Sequence, residues 1–378
     1  MLRSNRRRNG LLRGLCVAIV MACGTSAFST TSSSKDTALA NPNYSLQAEY
    51  AVQVLQSWYD QNSGLYQKPT DWWNSANAIT VLVDYSRASH TTRYLSAVEN
   101  TFSKANHAYG TTNFINDSND DEGWWALAWI DAYDLTKTPS YLTMAQAIFA
   151  DMTTQWDTTT CGGGVWWSKD LMHSAYKNAV TNELFLTIAA SLANRTADGA
   201  QKSQYLGWAH KEWDWFRASG IINARNLIND GLNATAPKAC VNNQQTTWTY
   251  NQGVILGGLV ELYKADHEPA LLAKAQAIAD AVISKLVTTT GILEEPSGNG
   301  PDRPQFKGIF MRNLEQLNGA VPRPRYKAFV HTNANSILRN NQDASHRFGQ
   351  LWQGPFDSGD GTRQASALDA LIAAMASN

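Results

Sequence analysis

Two adjacent carboxylates, Asp120 and Asp121, stand in the run NDSNDDEGWWALAWIDAY, where a polar loop gives way to a helical pattern. Paired acids can share acid, base and nucleophile work, because their repulsion raises one proton affinity and the pair then titrates in two steps. Trp124 and Trp125 beside them offer flat apolar surface suited to a sugar ring. Retaining glycosidases hold their two carboxyl groups about 5–5.5 Å apart, inverting ones about 6.5–9.5 Å. Adjacent side chains at a helix-entry turn reach the shorter spacing, which favours retention but does not say which acid attacks. The plainer reading of Asp120, Asp121 and Glu122 is a solvated acidic cluster, favoured by the helix dipole in a first turn.

Further candidates for sugar contact lie in WWNSANAIT, where Trp73 and Asn77 are four residues apart and share a helix face, with Trp72 and Asn74 alongside. These amides could equally tie helices together. Trp125 and Tyr250 complete the set, and helical neighbours point about 100° apart, so one of Trp124 and Trp125 is expected in the core and the other at the cleft. His173, His331 and His346 show no ligand spacing. Gly162-Gly163-Gly164 lacks the lysine and hydroxyl of a phosphate loop and reads as a flexible turn that brings Trp166-Trp167 toward the site. No motif calls for a metal or an organic cofactor.

Positioning these residues falls to helices. Segments near 44–60, 72–88, 91–106, 121–135, 139–156, 175–194, 200–217, 250–264, 267–286, 306–318, 324–341 and 362–375 are rich in helix formers, and glycine, proline and asparagine cluster between them. Twelve helices in six hairpins can close into an all-α (α/α)6 barrel over residues 44–378, after a flexible segment at 28–43. The even-numbered segments carry paired aromatic or polar residues near their starts, which makes them the inner ring and puts the chemistry at one mouth.

Five arginines, the apolar run LCVAIVMAC and the small residues GTSA read as a secretory leader over residues 1–27. Without its five arginines the chain has 26 basic against 32 acidic residues. That charge disfavours nucleic acid and acidic membranes and suits a neutral substrate. Cys16 and Cys23 leave with the leader, so Cys161 and Cys240 are expected to form a disulfide in an oxidising compartment. Asn116, Asn194 and Asn233 each begin an N-glycosylation sequon. The ending ALDALIAAMASN is shorter and less apolar than a lipid-anchor signal, so no stable membrane insertion is expected.

The runs DWWNSANAI, NDDEGWWALAWIDAYD, CGGGVWW, KNAVTNELFLTIAASL, WTYNQGVILGGLVELY and FKGIFMRNL together resemble glycoside hydrolase family 76, over roughly residues 44–375. The resemblance implies an (α/α)6 fold and retaining, endo-acting cleavage of α-1,6-mannan. It makes Asp120 the nucleophile and Asp121 the general acid/base, with Trp72, Trp73, Asn74, Asn77, Trp125 and Tyr250 as cleft residues. Some fungal relatives of this kind act at the cell wall, where glycan transfer is the alternative outcome, since an acceptor sugar can replace water at the covalent intermediate. A secreted or cell-wall-associated monomeric hydrolase is the expectation, with a transglycosidase and a noncatalytic mannan binder as the alternatives.

Overall fold

The computed structural model describes residues 42–236, 239–296 and 300–377. The expected leader, residues 1–27, and the following segment as far as residue 41 lie outside the described residues. Helices α1 (Tyr44–Gln56), α2 (Trp72–Ala88), α3 (Leu95–Lys104), α4 (Asn119–Thr136), α5 (Pro139–Thr153), α6 (Leu171–Ser174) and α7 (Ala179–Arg195) make up the first half. The second half comprises α8 (Gly199–Ala218), α9 (Thr249–Asp266), α10 (Pro269–Lys285), α11 (Arg303–Ala320), α12 (Pro324–Asn340) and α13 (Gly361–Ala376). All twelve expected segments are helical, and among the described residues the additional helical stretches are the four-residue α6 and a 3-10 stretch at Ala105–Gly110.

Local chemistry explains the starts. Asp71 and Asn74 form a reciprocal capping box on α2, and α5, α10 and α12 open on a proline, whose missing N–H costs nothing in a first turn. The first helix ends at Gln56 rather than near 60, because the chain turns into a small antiparallel hairpin, β1 (Tyr59–Asp60) with β2 (Leu65–Tyr66). A second hairpin, β3 (Leu232–Ala236) with β4 (Ala239–Asn242), was likewise not foreseen.

Around the inner ring α2 packs on α4, α4 on α7, α7 on α9, α9 on α11, α11 on α13, and α13 returns to α2. The remaining long helices sit outside, α1 against α13, α5 against α4, α8 against α7 and α10 against α9, with α3 on α2 and α12 on α11 and α13. This is the (α/α)6 arrangement, with the even-numbered segments inside as expected. Inner helices are enclosed on all faces, and in α7 every residue from Ala179 to Ala193 is buried. Their close approach needs small residues: a Cβ on Gly253 would lie 2.6 Å from the Cα of Phe310, and one on Gly308 2.6 Å from that of Ser366. Strict alternation of outer and inner helices leaves every inner N-terminus at the same end of the ring.

Candidate active site

Asp120 and Asp121 occupy the first turn of α4 at that end, both half-buried. The loop leading into α4 pairs with a second loop. Asn119 donates from its amide N to Trp167 O (2.9 Å) and from its side chain to Trp166 O (2.8 Å), and Lys169 N donates to Asp117 O (2.9 Å). This short ladder aims the Trp167 indole N–H at Asp120 Oδ2, 3.0 Å away, while the Asp121 amide donates to Asp120 Oδ1 at 3.1 Å. Asp121 has a different partner, the Asn116 side-chain amide, which donates to its Oδ2 at 3.0 Å. Lys169 Nζ in turn holds Asn116 O (2.6 Å) while bridging Glu122 (3.0 Å) and Asp151 (2.5 Å) behind the site. One segment, 166–169, therefore orients both acids, Asp120 directly and Asp121 through Asn116.

That segment is braced rather than flexible. The Cys161–Cys240 disulfide is formed, with its Cα atoms 4.9 Å apart, and ties the loop to β4. Gly163 and Gly164 lie flat on the Trp215 ring, where any Cβ would come within 2.5 Å of it. Lys177 donates to Gly163 O (2.5 Å) and Thr160 O (2.6 Å), and Asn182 both donates to and accepts from the Val165 backbone. The glycine run is thus a packed brace that delivers Trp167, while Trp166 turns toward Lys177, whose Nζ lies 4.7 Å from its ring centre.

Burial raises the Asp120 carboxyl well above the usual aspartate range, the Asp121 charge adds to this, and the two N–H donors oppose it. Burial likewise pushes Asp121 up to about 6, against the Asn116 amide and with help from the charges of Asp302 and Asp71. Burial thus raises both neighbouring carboxyls, and as adjacent acids they titrate as a pair. Asp302, also raised by burial, accepts from the Trp73 indole at 3.1 Å.

The rest of the mouth is aromatic. The Trp73 ring lies 5.7 Å from Trp124 and 6.5 Å from Phe306, and Tyr250 packs 4.0 Å from Phe306. Two sequence expectations need correction. Trp125 is fully buried against Trp72, Phe114 and Trp129, and Trp72 itself is 4% exposed, so both stand in the wall and neither can meet a sugar directly. At the start of α2 only Trp72 is turned inward, whereas at the start of α4 both tryptophans are buried, Trp124 at 4% exposed like Trp72, so neither of them reaches the cleft where one was expected. Asn74 is a buried capping residue whose Oδ1 accepts from Asp71 N (3.3 Å), and Asn77 is buried between Trp73 O and Arg312. Trp73 and Tyr250 remain half-buried at the mouth.

The sequons also separate. Asn116 spends its amide on Asp121, and Asn194 spends both amide hydrogens on Glu261, whereas Asn233 is exposed on β3. A glycan fits the last without disturbing a bond.

The profile of glycosyl hydrolase family 76 matches residues 43–378. The chain belongs to that family. Within family 76 relatives, it is 26% identical over 342 residues to the mannan endo-1,6-alpha-mannosidase DCW1 of Saccharomyces cerevisiae, covering 83% of this chain and 74% of that one. To the mannan endo-1,6-alpha-mannosidase DFG5 of Candida albicans it is 27% identical over 360 residues, covering 86% and 78%. Among solved structures, an inactive variant of the Salegentibacter sp. HEL1_6 α-1,6-mannanase GH76A, with two consecutive aspartates replaced and α-1,6-mannotetrose bound, superposes with a TM-score of 0.80 at 23% identity, covering 89% of this chain and 100% of that one. The Chaetomium thermophilum Dfg5 complex with glucosamine gives 0.75 at 20% identity, covering 88% and 89%. These likenesses establish the barrel.

Proposed function

We propose that this protein is a retaining, endo-acting α-1,6-mannanase, exported by its leader to the cell exterior or wall. Asp120 attacks the anomeric carbon while Asp121 protonates the leaving oxygen, and Asp121 then takes a proton from the water that releases the product. The observation that carries this reading is the acid pair in the first turn of α4, each carboxyl with its own neutral donor, Trp167 for one and Asn116 for the other. The names of the yeast and bacterial relatives support mannan as the substrate class. Trp73 and Tyr250 are the side chains best placed to receive a sugar face.

Incubation with linear α-1,6-mannan tests it. New reducing ends, with the α anomer formed first, are the expected result. Mannan bound without new ends would assign a binding protein instead, and products longer than the substrate in the presence of acceptor sugar would assign a transglycosidase.

A further inference from the structure

A well-defined cavity lies behind the acid pair rather than at it. A chamber of about 480 Å³ lies between the C-terminal halves of the inner helices, with Trp124 as the partition from the front mouth. Asp84 on α2, Asp131 on α4 and Asp369 on α13, three neighbouring inner helices, place carboxylates along its wall. Asp369 is 1% exposed and its Oδ1 has no hydrogen-bond partner, while Oδ2 stands 3.4 Å from Arg312. The Asp131 carboxyl accepts no hydrogen bond from the described residues, and burial and the Asp84 charge push it up to about 7 against the charges of Arg87, Arg195 and Arg312, so it is charged above that pH. Six carboxylates line the space against four basic side chains. Those bases are already engaged, Arg87 with Asp84 (2.5 Å), Arg195 with Asp134 and Glu261 (2.5 and 2.8 Å), and Lys264 with Glu261 (2.6 Å).

Two further points fix the sign and size of an occupant. The inner helices end here, so their unpaired carbonyls add negative potential. Among the described residues no group of acidic, histidine or cysteine side chains is placed to hold a metal ion. We propose that this chamber is a second ligand site that takes a small organic cation, its ammonium hydrogens donated to Asp131 and to Asp369 Oδ1. An ammonium group brings three donors and no acceptor, which suits the open acceptor positions on Asp131 and on Asp369 Oδ1. Arg312 links the chamber to the front, since it also donates to Asn77 at 2.5 Å and lies 6.0 Å from the Trp124 ring centre.

Calorimetric titration of the intact protein with putrescine at constant ionic strength tests the proposal, with mannitol as the neutral comparison. Saturable one-site binding is expected, weakened at least tenfold in D131N, which removes a charge without breaking a hydrogen bond, and retained in D302N. Failure to saturate, equal binding by D131N and wild type, equally good binding of mannitol, or loss of binding in D302N, which would move the cation to the front acids, would each overturn it. None of these readouts depends on mannan cleavage.

Discussion

The two ends of the barrel hold the same residue type under opposite conditions. At the front, where the inner helices begin, Asp120 and Asp121 meet neutral donors, an indole and an amide, and burial pushes Asp121 up to about 6. At the rear, where those helices end, Glu261 is also buried, but Arg195 and Lys264 outweigh the burial and pull it down to about 2. The partner, more than the depth of burial, decides whether a carboxyl keeps a mobile proton or a fixed charge. Helix polarity reinforces the division: anions sit at the N-terminal mouth, and Arg87, Arg195 and Lys264 stand in last turns at the other. The rear is mixed, however: beside the charge-paired Glu261, burial pushes Asp131 and Asp369 up to about 7.

Substitutions at each end test whether the division is real. The largest effect is expected from D120N, which should lower kcat/KM on linear α-1,6-mannan by roughly 10⁴-fold and leave no trappable covalent intermediate. D121N should lose roughly 10²–10⁴-fold on mannan but far less on a mannoside with a good leaving group, because that bond breaks without proton donation. Equal residual rates of the two variants on the activated substrate would dissolve the assignment of roles.

At the rear the effect should appear in stability instead. R195A leaves Asp134 and Glu261 without their main partner, and denaturant unfolding should show a loss of about 3 kcal/mol with kcat on mannan retained. A collapse of kcat at unchanged stability would mean that the two ends are not separable. Glu261 also has a pH signature. Its folded-state proton affinity lies below the ordinary glutamate value of about 4.3, so its contribution is present above that pH and is lost as pH falls toward about 2. Melting temperature should drop over that window in wild type and less steeply in R195A.

The smallest effect is expected from D302N. Removing this negative charge lowers the proton affinity of Asp121, so the alkaline limb of the kcat/KM profile should move to lower pH by less than about one unit. A shift to higher pH would show that Asp302 acts on Asp121 through something other than charge.

How far the sequence could be read depended on the range of the interaction involved. The segment expected at 72–88 coincides with α2, and Pro139 and Pro324 mark helix starts, because capping and proline geometry are settled within one turn. The acid pair was legible for the same reason, along with the alternation of inner and outer helices. The glycine run suggested that Trp166-Trp167 come toward the site, but the specific bonds from Trp167 to Asp120, 47 residues away, and from Trp73 to Asp302, 229 away, have no local pattern to announce them. The choice between Trp72 and Trp73, and the burial of both Trp124 and Trp125, depend on what each helix start leans against, which helical period alone leaves undecided. The charged rear chamber was invisible for a related reason. Its carboxylates come from separate inner helices, where each looks like an ordinary polar position.

Asn116 begins a consensus acceptor triplet and also supplies the amide that steadies Asp121. Any expression host that decorates such triplets during synthesis would attach an oligosaccharide to the very nitrogen that donates to Asp121, before the barrel has closed. Recombinant batches from such a host should then contain a heavier, poorly active fraction, resolvable by intact mass. Material from a host without that machinery should be homogeneous and fully competent.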